Sequence, residues 1–179
     1  SRMLQNIVDQ IHNIFSQENL CVTLHEIPEM YMLACNAGQL ERAIYGVISA
    51  LLQGNQDQPC VDIRLSCSEH QTILHFYSNG TNWGREYIQF IHKKRVHYLI
   101  DDIQRYGYDM LRVNNIIEQH GGTVLIDTPE NGGNHIALVL PNGKTPLRME
   151  EPGKTWDSKH VIMTELSSIL PGEVYNPHK

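Results

Sequence analysis

Residues 105–141, RYGYDMLRVNNIIEQHGGTVLIDTPENGGNHIALVLP, decide how the chain is read. Met110, Val113, Ile116 and Ile117 recur at helical spacing, while Arg112, Asn114, Asn115 and Glu118 fall on the opposite side. His120 stands in the last turn, where partial positive charge suits a helix C-terminus, and Gly121-Gly122 supplies a left-handed stop. Thr123–Asp127 then reads as a short strand and Thr128–Gly133 as a turn rich in Pro, Gly and Asn. His135–Leu140 is the return strand, closed by Pro141. A glycine-containing turn at Gly107 is expected to open the helix.

Outward from this stretch, three further segments carry clear periodicity. Residues 3–16 place Leu4, Ile7, Val8, Ile11, Ile14 and Phe15 on one helical stripe. Cys21–Leu24 alternates as a strand does, and Ile27-Pro28 ends it. Asn36–Gln53 is a second helix, capped by Asn36 and buried through Leu40, Ile44, Val47, Ile48, Leu51 and Leu52. After a polar loop at 54–59, Val61–Cys67 and Thr72–Tyr77 read as a hairpin of alternating strands. Residues 84–105 read as one or two helices with apolar positions at Tyr87, Ile88, Ile91, Val96, Leu99, Ile100 and Ile103. The cluster His92-Lys93-Lys94-Arg95, with His97, is the strongest basic patch; it suits phosphates, an acidic partner or a solvated helix face.

Composition sets the bounds. The chain has 179 residues, 41% hydrophobic and 19% charged, which is globular rather than disordered composition. A net charge of -6 argues against a general nucleic-acid binder. No apolar run spans a bilayer, and no signal peptide is visible, so a cytoplasmic location without membrane contact is expected. The four cysteines, Cys21, Cys35, Cys60 and Cys67, lack zinc spacing and fit free thiols. Ten histidines form no His-x-x-x-His pattern, and no metal site is expected. No Gly-x-Ser-x-Gly nucleophile motif occurs, and no catalytic residue is assigned.

The order of elements, with His120-Gly121-Gly122, a strand, a glycine turn and a strand ending Leu140-Pro141, resembles the histidine-kinase ATP-binding domain of the GHKL type. The resemblance covers residues 3–141 and implies an α+β two-layer sandwich: a mixed sheet with three helices over one face. It also places the family's motifs on this chain. The helix at 36–53 stands where the family carries Asp-x-x-x-Leu and Asn-Leu-Leu-x-Asn-Ala, which puts Asn36 at the Asp, Gly46 at the first Asn and Ala50 at the second. That second Asn holds magnesium in the family, and alanine has no oxygen to offer a hard cation. Ser78-Asn79-Gly80-Thr81-Asn82 stands at Asp-Asn-Gly-x-Gly, so Ser78 replaces the carboxylate that reads adenine and Asn82 replaces the second glycine.

Gly107-Tyr108-Asp109-Met110 stands at Gly-x-Gly-Leu, with Asp109 in the place of a phosphate-facing glycine. Gly133-Asn134-His135 stands at Gly-Thr-Thr. Asn79, Gly80 and Gly107 are therefore remnants of a nucleotide site. Gly46, Ala50, Ser78, Asn82 and Asp109 are its degenerate positions.

The expected function is a degenerate histidine-kinase catalytic domain in two-component signalling, working through protein contacts with no cofactor. The expected partner is a response regulator, a kinase or another signalling domain, and dimerisation is compatible with this. One alternative is a divergent ATP-dependent protein-histidine kinase domain, with ATP and magnesium bound and Lys93, Lys94 or Arg95 on the phosphates. Another is an anti-sigma-factor-like regulator or a histidine-phosphotransferase domain of the same fold. His25-Glu26 has the residues of a phospho-accepting pair, but that chemistry needs a helix and this pair follows a strand. The expected domains are 1–141 for the sandwich, 142–157 for a linker and 158–179 for an extension. The extension has a short helix, with Ser158 as cap and Val161, Ile162, Leu166, Ile169 and Leu170 as its apolar face.

Overall fold

A computed structural model describes residues 2–14, 21–25, 33, 35–52, 59–84, 88, 91, 101–130 and 132–142. In chain order these are α1 (Arg2–Ile14), β1 (Cys21–Leu24), α2 (Ala37–Leu52), β2 (Cys60–Cys67), β3 (Gln71–Ser78), α3 (Asp101–Gln119), β4 (Thr123–Asp127) and β5 (Asn134–Pro141). The expected linker and C-terminal extension, and the basic cluster at 92–95, lie outside the described residues.

The strands form one mixed sheet in the order β1-β2-β3-β5-β4. Only β1 runs parallel to its neighbour, with Cys21 opposite Cys60 and Leu24 opposite Ile63. The other pairings are antiparallel, and Ile63, Phe76, Ile136 and Ile126 line up across four strands. The period-2 alternation sends one set of side chains to each face. Val61, Ile63, Leu74, Phe76, Ile136, Leu138 and Val124 are buried beneath the helices. The opposite face carries Arg64, His75, Tyr77, His135 and Leu125.

Among the described residues, three helices cover the buried face, the two-layer α+β arrangement that the family resemblance implies. α1 lies against β1, α2 against β2 and β3, and α3 against β4 and β5. α1 buries only its stripe of Leu4, Ile7, Val8 and Ile11. α2, between its neighbours and over the sheet, is buried from Ala43 through Leu52 without interruption. That is why its sequence is apolar almost all round. Its start is fixed by Asn36, whose Oδ1 accepts from the Gln39 amide at 3.1 Å.

α3 ends in a Schellman motif: the Gly122 amide bonds Ile117 O and the Gly121 amide bonds Glu118 O, each at 2.9 Å, with Gly121 at φ 71°. The His120 ring then joins two helices. Its Nδ1 donates to Ile116 O at 2.7 Å and its Nε2 accepts from the Asn36 amide at 3.1 Å. A ring nitrogen that accepts carries no proton, so this contact uses the neutral tautomer. The helix-dipole role expected for a positive His120 is replaced by a direct link from the end of α3 to the start of α2.

The turn expected at Gly107 does not form. Residues 101–119 are one helix, and Gly107 lies inside it. A single glycine costs a helix interior about 1 kcal/mol and does not stop it. A lone glycine permits a turn without requiring one, and the residues around Gly107 continue the helix.

Candidate functional site

The positions that the resemblance assigns to a nucleotide site lie on α2, on the loop after β3, on α3 and at the start of β5. Their contacts fall into two sets, one at the α2–α3 interface and one where the loop after β3 meets the start of β5. What each residue contacts there is informative.

At the α2–α3 interface, Gly46 is the point of close approach. A Cβ at this position would sit 2.8 Å from Val113 Cγ2. One turn on, Ala50 is fully buried, as is Ser49 beside it. The Ser49 hydroxyl donates to Asp109 Oδ2 at 3.3 Å, and Arg112 pairs with Asp109 Oδ1 at 3.1 Å. The carboxylate at the position of a phosphate-facing glycine is thus held by a neighbouring helix and by a cation one turn along its own. Gly107, inside α3, has its amide in the helix's own hydrogen-bond ladder.

At the end of β3, a second set of contacts is centred on Asn134. This residue is 2% exposed. Its amide donates to Ser78 Oγ at 3.3 Å, its Nδ2 donates to Thr81 O at 2.8 Å and its Oδ1 accepts from the Trp83 amide at 2.7 Å. One acceptor position of the Ser78 hydroxyl is therefore already taken by the backbone of β5. Gly133, at φ 81°, makes this crossing possible: a Cβ there would stand 1.9 Å from Ser78 O. Asn79 ties the same loop to β2, accepting from the Cys60 amide at 2.9 Å. Asn82 is exposed at the tip of this loop and Gly80 is partly buried within it.

Ser49, Arg112 and Trp83 are contributors that sequence reading missed; Asn134 was placed at a motif position, but not with these contacts. The signal for Asn134 was present, as a residue able to donate and accept where the family has threonine. Nothing local marks Ser49, because its role depends on a partner in another helix.

The sheet face turned away from the helices carries a separate polar arrangement. Asp62, Tyr77, His135 and Asp127 fall on one cross-strand row, with Arg64 and His75 on the next. The Tyr77 and His135 rings stack at 4.3 Å with 4° between planes, and the Arg64 guanidinium lies 5.0 Å from the Tyr77 centroid. His75 Nδ1 and His135 Nε2 are 3.1 Å apart, within hydrogen-bond reach of each other. Desolvation lowers both histidine pKa values from the usual 6.5, with Arg64 adding to the effect on His75 and His75 to that on His135. Asp62 accepts from the Thr23 hydroxyl and lies 3.3 Å from His25 Nε2; the Thr23 bond is the main cause of its lowered pKa. His25 thus serves a carboxylate on the sheet.

Among the described residues, no cluster of three metal-binding side chains occurs and no helix is long and apolar enough to cross a membrane.

No protein-family model matches the sequence, and no curated protein matches it. The fold, however, is shared with solved histidine-kinase domains. The catalytic domain of histidine kinase ThkA in a nucleotide-free form superposes with a TM-score of 0.63 at 12% identity, covering 78% of this chain and 94% of that one. The mycobacterial sensor histidine kinase MprB gives 0.61 at 14% identity, with 78% and 92% covered. The ATP-binding domain of PrrB from Mycobacterium tuberculosis gives 0.61 at 19% identity, with 78% and 91% covered. The described chain therefore has the histidine-kinase ATPase-like fold, in which the GHKL resemblance of its motif frame is expressed.

Proposed function

We propose that this chain is a degenerate histidine-kinase catalytic domain that acts in signal transduction through protein contacts, with ATP binding weak or lost. The observation that carries the reading is the engagement of Asp109 by Ser49 and Arg112. Nucleotide binding in this fold rests on a metal-holding oxygen, a base-reading carboxylate and open backbone for the phosphates; phosphoryl transfer adds mainly positioning and electrostatics. Ala50 offers no oxygen, Ser78 has no charge, and Asp109 brings a negative charge toward the place of a triphosphate. Gly46 against Val113 leaves α2 and α3 too close for the larger side chain the family carries. Three of these replacements are accommodated by contacts within the protein: Gly46 by Val113, Ser78 by the Asn134 amide, and Asp109 by Ser49 and Arg112.

The partner is then a response regulator, a kinase or another signalling domain. It is recognised without nucleotide, and magnesium and ATP are not required. A thermal-shift measurement with millimolar ATP and magnesium tests this. Binding in the micromolar range would add about 4 kcal/mol of stability and move the midpoint by many degrees. An unchanged midpoint is expected; an upward shift of that size would make the chain a divergent, working ATP-binding domain.

A further inference from the structure

Cys21 is the first residue of β1 and Cys60 the first of β2, and the two are direct partners in the parallel pairing. Both thiols are free, and Cys21 is exposed. The backbone holds them there. The Cys21 amide donates to Pro59 O at 3.0 Å, and the Cys60 amide donates to Asn79 Oδ1 at 2.9 Å. Neighbouring strands run about 4.8 Å apart, inside the Cα separation of roughly 4.4–6.8 Å that a disulfide spans. The other two cysteines are placed differently. Cys35 precedes α2, and Cys67, at the far end of β2, accepts a hydrogen bond from the Thr72 hydroxyl.

We propose that Cys21 and Cys60 are a redox-active dithiol that closes to a disulfide by exchange with a low-molecular-weight disulfide such as oxidised glutathione. The reaction would join the edge strand β1 covalently to β2. The Cys21 thiolate attacks one sulfur of oxidised glutathione, forming a mixed disulfide and releasing one glutathione thiolate. The Cys60 thiol then gives up its proton to solvent or to that thiolate, and its sulfur attacks the Cys21 sulfur. The second glutathione leaves. Two protein thiols are oxidised, one glutathione disulfide is reduced to two thiols, and no other reactant is needed.

The order of steps follows from the surroundings. Burial, with neighbouring Cys21 and Asp62, pushes the Cys60 thiol up to about 11, which keeps it protonated at neutral pH. Cys21, exposed to solvent, is the sulfur an incoming disulfide meets first. Cys60 is the resolving thiol. This inference rests on the strand pairing and is independent of whether the domain binds nucleotide.

The test is incubation of the reduced chain with oxidised glutathione, followed by intact mass and non-reducing peptide mapping. The expected product has lost two hydrogens and links the Cys21 and Cys60 peptides. The Cys60→Ser variant stops at a glutathione adduct on Cys21, and Cys35→Ser and Cys67→Ser leave the pairing unchanged. Closure in the folded chain exceeds that of the urea-unfolded chain by about tenfold or more, since strand pairing raises the effective concentration of the second thiol. Three results would overturn the proposal: a stable adduct on Cys21 of the unaltered chain, a disulfide through Cys35 or Cys67, or closure equally fast in urea.

Discussion

At the α2–α3 interface and the β3–β5 crossing, polar groups are tied mainly across elements: Asp109 to Ser49 of α2, with Arg112 of its own helix beside it, and Asn134 to Ser78, Thr81 and Trp83. On the opposite face of the sheet, Arg64, Tyr77, His135 and His75 also contact each other, but they form a half-exposed ladder along neighbouring strands. The difference lies in what each arrangement fixes. The first positions helices, a loop and a strand relative to one another, so breaking it disturbs the core. The second sits on a sheet already built by backbone pairing, and water can replace any of its members. Buried polar contacts cost more to leave unmade than exposed ones.

Substitutions that probe the two sides should therefore rank in a definite order. Gly133→Ala heads it, since it combines left-handed strain with a side chain driven into Ser78 O. A loss of about 3 kcal/mol or more is expected in chemical denaturation. A loss below about 1 kcal/mol would mean that β5 does not cross the β3 loop as described.

Gly46→Asn restores the residue type that the resemblance places at this position, yet it should destabilise. Its Cβ would press on Val113 Cγ2, and overpacking of this kind costs about 1–3 kcal/mol. Val113→Ala added to it should recover part of that loss. If Gly46→Asn alone were neutral, the close approach of α2 and α3 could not be what keeps the larger residue out.

His120→Ala removes the bridge from Ile116 O to the Asn36 amide. The expected loss is about 1–2 kcal/mol, comparable to that of a helix cap. His120→Asn, which also has a donor and an acceptor but less reach, should fall between the two.

Acid probes the exposed face. The folded-state pKa values of His75 and His135 lie below 6.5, so the unfolded chain binds more protons as pH falls through that value. Their contribution is full above 6.5 and is lost as pH drops toward the folded values. Asp62 contributes above 3.8 and is lost below it. Denaturation at a series of pH values should show a shallow decline beginning near the histidine range, and the double variant His75→Gln/His135→Gln should flatten it. An unchanged decline in that variant would place the titration elsewhere.

Much of the fold is legible in the sequence, because periodicity and punctuation are local. The strands at 21–24 and 123–127, the cap at Asn36 and the stop at Gly121 agree with their sequence signals. Gly107 did not, since a glycine permits a turn without requiring one and the surrounding residues favour helix. The chemistry of the candidate site was legible only as substitutions. That Ala50 lacks an oxygen is plain from its identity, but Ser49 and Asp109 lie 60 residues apart in sequence. His75 and His135 are likewise 60 residues apart, and their meeting depends on strand register.

The most direct test of the central claim is calorimetric titration of ATP with magnesium into the purified chain and into the variant Ala50→Asn/Ser78→Asp/Asp109→Gly. No heat of binding is predicted for the unaltered chain at millimolar nucleotide, and measurable binding for the variant. Micromolar affinity in the unaltered chain, about -8 kcal/mol, would contradict the account and make this domain a nucleotide binder despite its replaced residues.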